Sequence, residues 1–556
     1  MRINRLEIRR KYISALWRES RGVRCRILAV SLLGCLSVAL SLLFIWITKT
    51  TVDMAVGPRH HIPAGLITVL GVCLALQLAV PAVRRRVEAL TITKYSNRLR
   101  RSLLDHMLRS RWSGRGSMHS GDVISRMQDD VDTLAALTCS TVPGIAAVLL
   151  QLAGAFGFLV ALDARLALAL VFIMPFAVLA SKIYIKRTRR LTGEIRREES
   201  GLQTFLQESL HHRTLLSTLM GRDLLMGKFE MRQSSLTDKL VRRTDISIYS
   251  NLAVTAGFMT GYTVTFLWSV YGLTAGTVSF GMMTAFLQLV GQLQRPAVDL
   301  SRRIPAFVNA SVSMDRIADI LSMPTEDYST PDIPAGRAVG LRLRDVDYSY
   351  PDAESHVVVK RLSHDFRPGS VTGIIGPTGA GKTTLIRLLL GLVEPTAGNA
   401  TVYSDDGHEC RIGAGLRRNI VYVPQGNTLM YGTIRDNLRL GNPDATDAMM
   451  WDALRTAAAD FVARLPDGLD SECFEGGAGF SEGQAQRIAI ARGLLKGGDI
   501  ILLDEPTSAL DEVTEREFLS RFTGSLPESY TVIIVTHSAV AADYCTDILD
   551  LTAPEG

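Results

Sequence analysis

Long apolar blocks dominate the chain up to about Val298, and only short apolar runs occur beyond it. A helix that crosses a bilayer needs about 20 largely apolar residues. Six stretches meet that need: Ile27–Ile47, Ile62–Val83, Val142–Leu162, Leu166–Ile185, Ile248–Gly272 and Gly281–Val298. Gln288, Gln292 and Gln294 interrupt the sixth, but an even count keeps both ends on one side. Two long connections, after the second and fourth stretches, are too polar for lipid yet keep helical spacing. Leu99, Leu103, Leu104, Met107 and Leu108 show it. These helices are expected to run on beyond the membrane and turn back near Ser113–His119 and Leu210–Thr218. After a linker rich in Pro and polar residues, Ser322–Gly336, the runs Val371–Ile375, Ile420–Val423, Ile500–Leu503 and Val532–Val535 alternate with helical stretches. That alternation predicts a mainly parallel sheet with helices around it. The expected divisions are an arm (1–26), a membrane domain (27–321), a linker (322–340) and an α/β domain (341–556).

Charge adds an orientation. The formal net charge is only +6, and basic residues cluster beside the apolar blocks. The arm holds nine Lys and Arg residues; Arg84, Arg85, Arg86, Lys94, Arg98, Arg100 and Arg101 follow the second block; Lys186, Arg187, Arg189 and Arg190 follow the fourth. The other connections are short and nearly free of Lys and Arg. The positive-inside rule then puts both termini and both long connections in the cytoplasm. Leu6, Ile13, Leu16 and Trp17 give the arm the character of an interfacial helix against membrane lipid. Its apolar continuation is too long for a signal peptide and reads as a retained span. No aromatic platform interleaves with the basic residues, so no nucleic-acid partner is expected. Seven scattered cysteines, without CxxC or metal spacing, read as reduced, buried thiols.

The α/β half carries the chemistry. Directly after Val371–Ile375 comes Gly376-Pro377-Thr378-Gly379-Ala380-Gly381-Lys382-Thr383-Thr384. This is the G-x-x-x-x-G-K-[ST] phosphate loop, placed between a strand and a helix. Its glycines let backbone N–H groups turn toward phosphate oxygens, and the helix N-terminus adds partial positive charge. Lys382 is expected to reach the β- and γ-phosphates, and Thr383 to offer its hydroxyl to Mg²⁺. The strand Ile500-Ile501-Leu502-Leu503 ends in Asp504-Glu505. Asp504 is placed to hold Mg²⁺, and Glu505 to polarise an attacking water. The two halves together predict an α-helical six-span transmembrane domain plus an α/β P-loop nucleotide-binding domain.

A family resemblance rests on the segment Phe480-Ser481-Glu482-Gly483-Gln484, followed by Ala485-Gln486-Arg487-Ile488-Ala489-Ile490-Ala491-Arg492. It resembles the signature of ATP-binding cassette proteins. Further motifs follow in the family's order. Tyr350 matches the aromatic that stacks on adenine. Gln425, in Tyr422-Val423-Pro424-Gln425, matches the glutamine that senses Mg²⁺ and the membrane domain. Ser508-Ala509-Leu510-Asp511 matches the loop that crosses the dimer interface, and His537 the switch histidine at the γ-phosphate. Gly432–Asn437, Gly121–Arg126 with Asp129–Asp132, and Phe205–Leu210 look like exporter segments of the same superfamily.

The resemblance implies an ATPase that exports a substrate by alternating access, with ATP and Mg²⁺ as cofactors. Each ATP would be clamped between Gly376–Thr384 of one chain and Ser481, Gly483 and Gln484 of another. The second chain is expected to be a further copy, or else a related half-transporter. Glu482 departs from the family's usual Leu-Ser-Gly-Gly-Gln. It places a carboxylate in the first turn of the signature helix, where the dipole favours it. The alternative is a weakened site in an asymmetric heterodimer. Gln77, Gln151, Tyr262, Thr263, Gln288 and Gln292 are polar positions within spans, suited to a cavity or to interhelical contacts. A peptide, a lipid and an amphipathic drug all fit as cargo. The expected location is a bacterial inner membrane, with the cassette in the cytoplasm. The fusion of membrane and nucleotide parts argues against an importer.

Overall fold

The computed structural model describes residues 20–57, 63–111, 120–328, 338–350, 357–474 and 479–552. Most of the N-terminal arm, the expected turn at Ser113–His119 and residues 329–337 of the linker lie outside them. The chain forms two compact units: Met1–Leu104 with Gly121–Leu321, and Asp105–Ser120 with Ser322–Gly556.

Among the described residues the first unit, whose helix Ala64–Arg109 runs on into the second, is built of helices and the turns between them. Its helices are α1 (Arg24–Val56), α2 (Ala64–Arg109), α3 (Gly121–Leu162), α4 (Ala164–His211), α5 (Arg213–Thr218), α6 (Arg222–Thr274) and α7 (Phe280–Leu321). Among the described residues α1, α2 and α3 are long and apolar enough to cross a membrane by length and composition. At 48 and 53 residues, α4 and α6 are about 72 and 80 Å long, more than twice a hydrocarbon core of about 30 Å. They lie against each other, tied by a Lys239–Glu198 ion pair and by Arg232 Nη1 donating to Gly201 O at 3.3 Å. The connection between them begins within the expected segment Leu210–Thr218: α4 stops at His211, His212 breaks the helix at φ −97° and ψ 22°, and the short α5 follows. It ends at Leu219–Gly221, with Met220 at φ 49°.

The α3–α4 turn is set by Asp163. Its Oδ1 accepts from Arg165 N (2.9 Å) and Leu166 N (3.2 Å), capping α4. Its Oδ2 accepts from Trp268 Nε1 at 2.9 Å, which ties the turn to α6. A core of Leu159, Leu166, Ala285, Phe286 and Leu289 packs beside it. The turns Arg126–Asp130 and Leu137–Thr141 within α3 are π-helical.

The second unit holds two main sheets. All four runs expected as strands form neighbours in one parallel sheet, β11-β3-β10-β9-β6: β3 (Val371–Ile375), β6 (Ile420–Val423), β9 (Ile500–Asp504), β10 (Thr531–Val535) and β11 (Asp547–Asp550). Every residue of β9 and β10 is buried, as central strands covered on both faces require. An antiparallel sheet, β2-β1-β4-β5, was not legible. Its strands are β1 (Val339–Ser349), β2 (Val357–Phe366), β4 (Ala397–Ser404) and β5 (Glu409–Arg411). Register shifts break the β1–β2 pairing, with Asp345 and Arg361 at positive φ, so no regular alternation marks it. The helices α8 (Lys382–Leu389), α9 (Ile434–Arg439), α10 (Asp447–Thr456), α11 (Glu482–Lys496), α12 (Glu512–Ser525) and α13 (Ala539–Asp543) complete the unit, with a short pair β7 (Gly432–Thr433) and β8 (Glu472–Cys473). All seven cysteines are free. Cys73, Cys139 and Cys473 are buried, but Cys25 is exposed and the other three are half-buried.

Candidate functional site

The site grows from the C-terminal edge of the parallel sheet, where strands end and helices begin. β3 runs into the loop Gly376–Gly381, and α8 starts at Lys382. Gly376, Gly379 and Gly381 have φ of 154°, 90° and 91°, a backbone path that only glycine follows without strain. Pro377, Thr378 and Gly379 are exposed at the rim, with Ala380 half-buried beneath; Ala380 N donates to Pro377 O at 3.2 Å. Lys382 is buried, and its Nζ donates to Gly376 O at 2.7 Å and touches His537 Nε2. Thr383 is exposed, whereas Thr384 is buried, its hydroxyl 3.0 Å from Tyr350 Oη. Tyr350 Oη also accepts from Arg387 Nη1 at 2.7 Å, so the tyrosine is anchored beside the start of α8.

The neighbouring strand β9 delivers the carboxylates. Asp504 is buried, and burial first, then the charge of Glu505, push its carboxyl up to about 6, with Lys382 and Arg387 pulling the other way. An ionised carboxylate under that strain suits a cation beside it. Glu505 sits at φ 48°, uncommon for a residue with a Cβ. Three bonds impose it: Glu505 N donates to Val535 O (2.9 Å), while its carbonyl accepts from Gln486 Nε2 (2.7 Å) and Ser508 Oγ (3.1 Å). Glu505 Oε2 accepts from Gln425 Nε2 at 2.7 Å, and Oε1 lies 3.4 Å from His537 Nε2. Lys382, Gln425, Glu505 and His537 are thus one connected cluster, with Asp504 and Thr383 at its side.

The signature segment stands elsewhere. Ser481 is the N-cap of α11, its hydroxyl accepting from Gln484 N (3.3 Å) while Gln484 Oε1 accepts from Ser481 N (3.0 Å). Ser481 is exposed and Gly483 buried, with Ala509 O 2.7 Å from where a Gly483 Cβ would stand. No hydrogen bond among the described residues joins Ser481, Gly483 or Gln484 to Gly376–Thr384. Glu482 Oε1 points back to the chain's own Gly426, 3.7 Å from where a Cβ would be built there. Asp511 caps α12 through Thr514 N at 3.0 Å.

Sequence reasoning missed Gln486. It is fully buried, on the α11 face that carries Ala485 and Ala489, and it holds the Glu505 backbone. A lone amide on an otherwise apolar helix face was the available signal.

Comparison with known proteins bears on the family and the fold. The family model described as ABC transporter matches residues 359–508, and the one described as ABC transporter transmembrane region matches 25–297. An uncharacterised ABC transporter ATP-binding protein of Bacillus subtilis is 28% identical over 427 residues, 75% of this chain and 69% of that one. A Staphylococcus aureus protein, named as a candidate multidrug export ATP-binding/permease protein, is 26% identical over 530 residues, 92% of this chain and 90% of its own. The solved structure of a bacterial Atm1-family ABC exporter with ATP bound shares the fold, with a TM-score of 0.78 at 22% identity over 95% of this chain and 93% of that one. With both family regions fused in one polypeptide, the chain belongs to the ABC transporters, as an integral membrane, ATPase-coupled half-transporter of the exporter type.

Proposed function

We propose that two copies of this chain form an exporter with two competent ATP sites, moving an amphipathic drug, a lipid or a peptide out of the cytoplasm of a bacterium. The observation that carries this reading is the cluster of Lys382, Gln425, Glu505 and His537 beside the phosphate loop. In this reading the six long helices α1–α4, α6 and α7 each cross the inner membrane, within a membrane domain of about 27–321. A linker, 322–340, leads to the cassette, 341–556. The N-terminal arm lies at the lipid surface.

Tyr350 stacks on adenine. Gly376, Pro377, Thr378, Gly379, Ala380 and Gly381 wrap the phosphates, with backbone N–H groups at every position but Pro377, which has none, and Lys382 and Thr384 complete the cradle. Thr383, Gln425 and Asp504 would hold Mg²⁺, which neutralises phosphate charge when bound; the raised carboxyl of Asp504 fits such a neighbour. Glu505 accepts a proton from the attacking water, and His537 hydrogen-bonds the γ-phosphate. Ser481, Gly483 and Gln484 close on the partner's ATP. Cassette closure is driven only so far as ATP binds the closed state more tightly than the open one. A related half-transporter is the alternative partner. Glu482 is exposed in the first turn of α11, where the helix dipole favours a carboxylate, and the complete Lys382, Asp504, Glu505 and His537 set supports the symmetric pair.

The test is Mg²⁺-dependent ATP hydrolysis by the purified chain in lipid nanodiscs, beside Glu505→Gln. The expected result is robust hydrolysis that falls about 10²–10⁴-fold in the variant, the usual worth of a positioned general base. A folded dimer without hydrolysis would sink the two-site homodimer.

A further inference from the structure

The helix α2 leaves its apolar stretch at Val83 and passes directly into Arg84-Arg85-Arg86. Arg84 and Arg85 line a cavity of about 470 Å³ with Glu88, Ser140 and Arg303. Two helices, α2 and α7, therefore bring three guanidiniums and one carboxylate to one concavity, a formal balance of +2, and α3 adds the Ser140 hydroxyl. Arg84 Nε is buried and makes no hydrogen bond among the described residues; its nearest carboxylate oxygen, Glu88 Oε2, is 3.9 Å away. Arg303 donates weakly to Thr141 O at 3.4 Å, and its guanidinium fills the space that a Cβ at Gly144 would need. Arg85 is exposed and Arg84 and Arg303 are half-buried, so all three guanidiniums stay charged at any accessible pH and, with Glu88 as the one carboxylate among them, leave a positive excess for an anion to meet.

We propose that this cavity binds the oxyanion head group, phosphate or carboxylate, of an amphipathic molecule. Forked guanidinium donors match that geometry. The depth fits too: the cavity begins where the apolar stretch ends, at the positive-inside face, where lipid head groups lie. Farther into the spans, a second cavity of about 540 Å³ is lined by Ser41, Gln77, Gln151, Gln292 and Asp299. Gln77 precedes Arg84 by two turns, about 10 Å, and Asp299 precedes Arg303 by one. There Gln151 donates to Gln292, and Gln292 to Ser41 Oγ at 2.7 Å. Phe44, Ile45 and Pro296 line the same space, so a molecule with its anionic head among the arginines would have a mixed amide and apolar lining for its body. That the anion is cargo rests on the transport reading above; the binding site itself does not.

The experiment is calorimetric titration of dodecyl phosphate into the full-length protein in phosphatidylcholine nanodiscs without nucleotide, against empty nanodiscs. Saturable binding is expected, weakened about tenfold or more in Arg84→Gln and in Arg303→Gln, the usual worth of a charged hydrogen bond. Dodecyl maltoside should show no such difference. Phosphatidic acid in the nanodisc then separates the sources: competition points to a lipid head group, and its absence to a soluble amphiphile. Equal binding by wild type and by variants that keep their ATP hydrolysis would overturn the proposal. Glu505→Gln should bind dodecyl phosphate as wild type does, so a failure of hydrolysis and a failure of this site are separable.

Discussion

At the scale of single residues, Asp504 and Glu505 carry opposite burdens. Asp504 lies among buried strand residues, and burial, then the charge of Glu505, push its carboxyl up to about 6, above the ordinary value near 3.9. The folded state therefore holds a proton more tightly than the unfolded chain. Asp504 thus costs increasing stability as pH rises from about 4 to 6, and a constant amount above that. Asp504→Asn should raise the melting midpoint of the protein at pH 7 without nucleotide or Mg²⁺, by about 2 kcal/mol in stability, with little change at pH 4. The same variant should lose Mg²⁺-dependent hydrolysis. Scanning fluorimetry at both pH values checks the first outcome, and phosphate release the second. Both carboxylates were legible only beside the phosphate loop, since an apolar run ending in Asp-Glu is by itself a common strand end. The left-handed backbone of Glu505 was not, because Val535 and Gln486 hold it from other segments, with Ser508 closing the turn locally.

At the scale of elements, α11 shows how a helix serves two roles. Its N-terminus is closed by a capping box that the sequence spells out in Ser481 and Gln484. Its first turn also presses on the Ala509–Leu510 loop, where Gly483 leaves no room for a side chain. Gly483→Ala, a substitution harmless to helix propensity, should displace that loop. ATP hydrolysis in nanodiscs should fall on the order of 10–100-fold, the cost of a misplacement near 1 Å, while circular dichroism stays unchanged. Within the helical unit, the long α4 and α6 were legible from continuous helical spacing. The π turns of α3 were not, since they follow no hydrophobic period of their own.

At the scale of the whole molecule, the second unit gathers distant sequence. Arg109 O accepts from Glu326 N at 2.8 Å, and Arg111 N donates to Pro324 O at 2.7 Å. Glu326 is nearly buried beneath a two-pronged pair with Arg417, at 2.7 and 2.8 Å. Burial pushes its carboxyl up, but the bonds from Arg417 and Tyr328 and the Arg417 charge hold it below the usual range. Its contribution is therefore full above about pH 4.3 and is lost as pH falls through the lower folded value. Glu326→Gln should cost about 1–3 kcal/mol at pH 7, since Arg417 keeps its bonds to Leu390 O and Gly391 O. The gap to wild type should close as pH falls below about 4, as urea unfolding at pH 7 and pH 4 would show. What the sequence determined by itself is whatever adjacent residues encode: the apolar blocks, the parallel strands, the glycine-bearing phosphate loop and the order of the cassette motifs. Local spacing dictates these, and their meaning survives without a partner segment. Only the tertiary structure decided which carboxylate is buried, which backbone is held at positive φ and which arginines from separate helices share one cavity. Those properties depend on contacts between residues far apart in the chain, which local sequence does not encode.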